Sequence, residues 1–110
     1  MKKTCINECP IAQAGALIGD IWIILIVREL LTGAKRFTEL REALIPCDST
    51  TPINSRTLTL RLKMLEEAGL LTRAKFEHEM PPRVEYTLTK KGKALSKIIE
   101  QIRNYGKRYL

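Results

Sequence analysis

Between residues 54 and 68, four side chains with complementary chemistry fall on one side of a helical projection. At 100° per residue with Leu58 as origin, Arg56 lies at about 160°, Thr59 at about 100°, Leu60 at about 200° and Lys63 at about 140°. Leu58, Leu62 and Leu65 form an apolar stripe on the opposite side. A guanidinium fork, a hydroxyl, an apolar tip and an ammonium are groups that can meet base edges and phosphates when a helix enters the major groove. There Arg pairs with guanine in bidentate fashion, and Thr reaches base edges or a thymine methyl. An ordinary solvated helix face carries the same residue types, and Leu60 could equally pack on a partner subunit.

Basic chemistry recurs further along. Residues Leu70–Glu77 and Arg83–Thr89 alternate, with Ala74, Phe76, Val84, Tyr86 and Leu88 on one side and Arg73, Lys75, Arg83 and Glu85 on the other. The pattern predicts a two-stranded hairpin with a basic outer face. Its tip, His78-Glu79-Met80-Pro81-Pro82, is too long for a tight turn and too rich in proline to pair.

Thiol chemistry is the third possibility. Cys5, Cys9 and Cys47 are an odd set, which argues against a disulfide framework. With His78 they could supply four zinc ligands, but their spacing matches no standard site, so no metal or other cofactor is expected. Cys9 directly precedes the helix that Pro10 opens, where the dipole favours a thiolate and raises reactivity. The alternative is an inert thiol beside Trp22. Enzyme chemistry has little support, because the single His sits in a proline-rich tip and no phosphate loop, carboxylate pair or nucleophile elbow is present.

These groups need elements to hold them. Pro10 starts a short helix ending at Gly19, with Ile11, Ala14, Leu17 and Ile18 at helical spacing. Asp20 can cap a second, Ile21–Leu31, apolar nearly all round and therefore the buried central helix; it could also line an effector pocket around Trp22, though the sequence names no ligand. Thr38 can cap a third, Glu39–Leu44, stopped by Pro46. After the loop, Asn54 or Ser55 can cap a helix running to Ala68, with Gly69 just beyond its end. Thr89 can cap a last helix to the C-terminus, with Leu95, Ile98, Ile99, Ile102, Tyr105 and Tyr109 on one face. That stripe is longer than one small subunit can cover, so a symmetric homodimer is expected.

Composition agrees with this layout. A chain of 110 residues that is 45% hydrophobic can fold as one domain over 1–110. The longest apolar run, Ile21–Val27, is far too short to span a bilayer, and polar residues interrupt any leader at the N-terminus; no membrane partner and a cytoplasmic location are expected. The net charge is +7, all of it in the second half, since residues 1–55 are neutral. That asymmetry suits a surface that meets a polyanion.

The fold class predicted is mainly α with a small β-hairpin wing, a winged helix-turn-helix. Along almost its whole length the chain resembles the HxlR family of winged-helix transcriptional regulators. The resemblance rests on Cys9-Pro10, Ile18-Gly19 with Trp22, Arg36-Phe37-Thr38-Glu39-Leu40, Arg56-Thr57-Leu58-Thr59, Arg61-Leu62-Lys63-Met64-Leu65-Glu66, Gly69-Leu70, and Pro81-Pro82-Arg83-Val84-Glu85-Tyr86-Thr87-Leu88-Thr89 followed by Gly92 and Leu95. It implies a homodimeric regulator of double-stranded DNA. The helix from Asn54 would carry Ser55, Arg56, Thr57, Thr59, Leu60 and Lys63 to the bases, and the hairpin would act as wing through Arg73, Lys75 and Arg83. It also implies a redox or electrophile sensor at Cys9, which Cys5 could resolve. The chain departs from the family in having Asp20-Ile21 where a Gly-Lys pair is usual, in a longer loop from Ile45 to Pro52, which bears on the docking angle, and in Tyr105 where Trp is frequent. A module that uses the same basic face on protein or RNA is the alternative.

Overall fold

The structure, a computed structural model, is described for residues 8–45 and 52–110; Cys5, Cys47 and most of the loop beginning at Ile45 lie outside them. Pro10 lacks the N–H that a first turn leaves unpaired, and it opens α1 (Pro10–Ile18) as expected. The chain then bends by 77° into α2 (Ile21–Leu30). Asp20 makes the corner: its Oδ1 accepts the N–H groups of Trp22 at 2.9 Å and Ile23 at 3.2 Å. Ile23, Ile26 and Val27 are wholly buried, so α2 is the central helix. α1 has no buried residue, and Ile11 is 83% exposed. No single helix among the described residues is long and apolar enough to cross a membrane.

The next elements differ from expectation in one instructive way. A two-residue strand, β1 (Lys35–Arg36), precedes α3 (Phe37–Ala43). It pairs antiparallel with β3 (Arg83–Leu88), which also pairs with β2 (Leu71–Phe76), so the predicted two-stranded hairpin is a three-stranded sheet of order β1-β3-β2. Pairing holds the backbone extended through Arg36, and α3 therefore begins at Phe37 rather than after a Thr38 cap. Glu39 in its first turn accepts the Arg36 N–H at 3.0 Å. A two-residue strand is too short for alternation to reveal it.

Asn54, one of two predicted caps, starts α4 (Ser55–Glu67) by accepting the Arg56 N–H at 2.8 Å. Leu58, Leu62 and Leu65 are buried, joining Ile23, Leu40, Leu71, Tyr86 and Leu88 in a single core. Gly69 ends the helix with φ +76°, a conformation that side chains with a Cβ rarely adopt.

The last predicted helix is two. Thr89 caps α5 (Lys90–Lys93) by accepting the Gly92 N–H at 3.2 Å, and a turn at Ala94-Leu95 separates it from α6 (Ser96–Tyr109). The start of α5 clasps the end of α4. Thr89 Oγ1 donates to the Gly69 carbonyl at 2.6 Å, Thr89 N–H to Leu70 O at 3.0 Å and Lys91 Nζ to Ala68 O at 2.8 Å. These donors satisfy carbonyls that the end of α4 would otherwise leave open. Gly92 lies so close that a Cβ there would overlap the Leu70 carbonyl oxygen.

The expected apolar stripe of α6 divides. Ile99 is buried in the core and Leu95 packs against it, so neither is part of an exposed face, contrary to the expectation that both serve dimerisation. Ile98, Ile102, Tyr105 and Tyr109 recur at one face of the helix and are exposed.

Candidate nucleic-acid interface

α4 presents what its spacing predicts. Arg56, Thr59, Leu60 and Lys63 are all exposed on the side opposite the buried leucines. Ser55 is the exposed first residue of the helix, and its carbonyl accepts the Thr59 hydroxyl at 2.7 Å. That bond occupies the donor Thr59 would otherwise offer a base. Thr57 is half-buried and so less accessible than its neighbours. Glu66 and Glu67 close the helix; Arg56 lies in its first turn, the end that enters the groove in helix-turn-helix proteins, and Lys63 lies past its midpoint.

The wing requires a correction. In an antiparallel ladder, directly paired residues share a face. Arg73 pairs with Tyr86, Lys75 with Val84 and Leu71 with Leu88, so Arg73 and Lys75 lie on the face of Val84, Tyr86 and Leu88, not opposite it. Ala74 and Phe76 share the other face with Glu85 and Arg83. The parity of β2 is set by Leu71, the strand's one buried residue, and the rest of the strand projects beyond the core. Once a strand leaves the core, alternation of apolar and polar residues no longer reports which face is inward.

This reversal brings Arg73 to the side of the sheet that meets α4. A cleft of about 300 Å³ is lined by Thr59, Leu62, Lys63 and Glu66 of α4 and by Arg73 and Tyr86 of the sheet. Arg56, Lys63 and Arg73 form no ion pair among the described residues. Arg83, named from the sequence as a DNA-contacting cation of the wing, is engaged by neighbouring acids. Its Nε lies 3.0 Å from Glu79 Oε2 and 3.6 Å from Glu85 Oε1, without a well-aligned hydrogen bond, and its guanidinium stands 4.8 Å from the Phe76 ring centroid. Lys75 Nζ lies 3.4 Å from Glu77.

One positioning contact was not foreseen. Arg61 Nε donates to Asp20 Oδ2 at 2.8 Å, and the pair is largely shielded from solvent. Asp20 thus uses one oxygen to cap α2 and the other to hold α4. The sequence shows Asp20 as a cap, but its partner, 41 residues away, leaves no local signal. Met64, exposed beside Leu60, was also missed as a surface residue; its projection of about 240° places it next to Leu60.

Cys9 is the N-cap residue of α1, a half-buried free thiol whose side chain makes no cap bond. Cys5, its proposed resolving partner, lies outside the described residues. Among the described residues no group of three or more His, Cys, Asp or Glu could hold a metal ion. A second cleft, of about 400 Å³, involves Ile21, Trp22, Leu25, Arg28 and Leu44, at the place suggested for an effector.

This arrangement has close counterparts. The family model for the HxlR-like helix-turn-helix matches residues 17–110. An HTH-type transcriptional regulator of Synechocystis sp. is 37% identical over 102 residues, spanning 93% of this chain and 70% of that one. A solved structure described as a MarR-family transcriptional regulator from Porphyromonas gingivalis W83 superposes with a TM-score of 0.84 at 32% identity, over 99% of this chain and 100% of the other. The redox regulator HypR in its oxidised form gives a TM-score of 0.78 at 35% identity, over 93% and 98%.

Proposed function

The chain belongs to the HxlR-like helix-turn-helix family of transcriptional regulators, and from that premise we propose that it binds a pseudo-palindromic DNA operator as a homodimer. It is a regulator and not an enzyme. In this reading α4 lies in the major groove, and the sheet lies along the backbone or minor groove. The observation that carries it is the exposed cationic set of Arg56, Lys63 and Arg73, without an ion pair among the described residues; Lys63 and Arg73 line one cleft between helix and wing, and Arg56 stands two turns before Lys63 on α4. A duplex groove fits that set better than a flat protein surface, because Arg56 and Lys63 ride on one exposed helix face and Arg73 stands on the strand beside it.

Selection from a random duplex pool tests the reading. The selected site should be an inverted repeat with half-sites one or two helical turns apart. Arg56→Ala should cost about 1–3 kcal/mol at that site and relax preference at one base position. Unchanged affinity and base preference in a folded Arg56→Ala protein would sink the mechanism.

The dimer is supported by the exposed stripe of α6 and by α1, which has no fully buried residue and packs on its own core only through the partly buried Leu17 among the core-contacting hydrophobics. Control through Cys9 is supported by its place at the start of α1 and by the similarity to HypR. Diamide, taking up two electrons and two protons, would join Cys9 to Cys5 or to a thiol of the second subunit as a disulfide. Operator binding measured before and after diamide should change in the wild type and stay constant in Cys9→Ser. Equal responses would exclude the sensor.

A further inference from the structure

Two large apolar side chains stand on the face of α4 that the basic residues occupy. Leu60 is 47% exposed and Met64 44% exposed. They are one turn apart, with Arg56 one turn before Leu60 and Lys63 beside Met64. An exposed helix face needs no leucine for folding, since polar helix formers serve as well there. Its cationic surroundings favour a polyanion as the occupant over an apolar protein groove. Within the major groove the only apolar group on any base pair is the thymine C5-methyl.

We propose that Leu60, with Met64 at its side, reads a thymine methyl in each operator half-site, and that this pair is a specificity determinant of the regulator. The proposal rests on α4 being the recognition helix. Leu60 lies in the second turn, within the N-terminal part of the helix that reaches base edges. One helical turn separates it from Arg56, about 6 Å along the axis, close to two base-pair rises of about 3.4 Å. The thymine therefore falls within two or three base pairs of the guanine that Arg56 contacts. Thr59, whose hydroxyl already donates to Ser55 O, is the weaker reader of the same face.

The test substitutes deoxyuridine for each thymine of the selected duplex in turn, removing only the methyl group. For the wild type, one substitution per half-site should weaken binding about fourfold, the effect of one buried methyl-sized group. Leu60→Ala should bind the thymine duplex about fourfold less tightly per half-site and lose the preference for thymine over deoxyuridine. Leu60→Met, which keeps an apolar tip, should retain it. Alanine at an exposed helical position should leave the fold intact, which circular dichroism of each variant checks. Three results overturn the proposal: no thymine whose methyl matters, a Leu60→Ala protein that keeps the wild-type methyl preference, or a change of oligomeric state in Leu60→Ala, which would place Leu60 between subunits. A selection that yields no consensus overturns the recognition-helix reading with it. A clear consensus that is indifferent to the methyl overturns this contact alone.

Discussion

Replacing Ile98 and Ile102 together with Glu is expected to yield a folded monomer whose affinity for the full operator falls by about a hundredfold or more. Both side chains are exposed in the isolated subunit, so their loss removes little from its own core. Charges at both positions would oppose each other across a two-fold interface, where each residue meets its own copy or a near neighbour. The loss of affinity follows from unlinking the half-sites, because a tethered second recognition helix acts at an effective concentration that adds roughly two to four orders of magnitude. Sedimentation velocity and a binding titration on full and half operators check it. A double variant that remains dimeric, or a monomer that binds the full operator like the wild type, contradicts the proposed assembly.

Leu65→Ala should have the largest effect on stability, about 2–5 kcal/mol. Leu65 is completely buried in the last turn of α4, and its carbonyl accepts the Leu70 N–H at 2.9 Å beyond the helix end. The cavity would loosen α4 against α2 and the sheet, so DNA binding should fall with the folded fraction while base preference among folded molecules persists. Urea unfolding followed by circular dichroism measures the first quantity, and binding corrected for folded fraction measures the second. A loss below about 1 kcal/mol would mean that the core relaxes around the site.

The elements that cross the core were legible because burial imposes a period. Leu58, Leu62 and Leu65 announce α4, and the apolar run from Ile21 announces α2; both stand where predicted, within a residue at each end. Legibility failed where burial stops imposing one. The parity of β2 depends on Leu71 alone, so the faces assigned from Ala74 and Phe76 were inverted. β1 is too short to show a period, and the break at Ala94-Leu95 lies between two segments that are each helical. On the candidate interface, the outward set on α4 followed from helical geometry. The engagement of Arg83 by Glu79 and Glu85, and the Asp20–Arg61 pair, did not, because both depend on how segments meet in space.

The acids of the wing also alter the ionic balance of binding. Each cation that neutralises a phosphate frees condensed counterions from DNA, and the logarithm of the binding constant falls with the logarithm of salt concentration by about 0.9 per phosphate neutralised. Counted from sequence, Arg56, Lys63, Arg73, Lys75 and Arg83 would give a slope of about −4.5 for each subunit. Arg83 and Lys75 already stand beside Glu79, Glu85 and Glu77, so they arrive with their own counter-charges. Of these five, only Arg56, Lys63 and Arg73 would then displace cations in the proposed complex, and the expected slope would fall to about −2.7. In the proposed complex, operator occupancy would thereby be buffered against swings in ionic strength that would strip a fully uncompensated basic surface from its site.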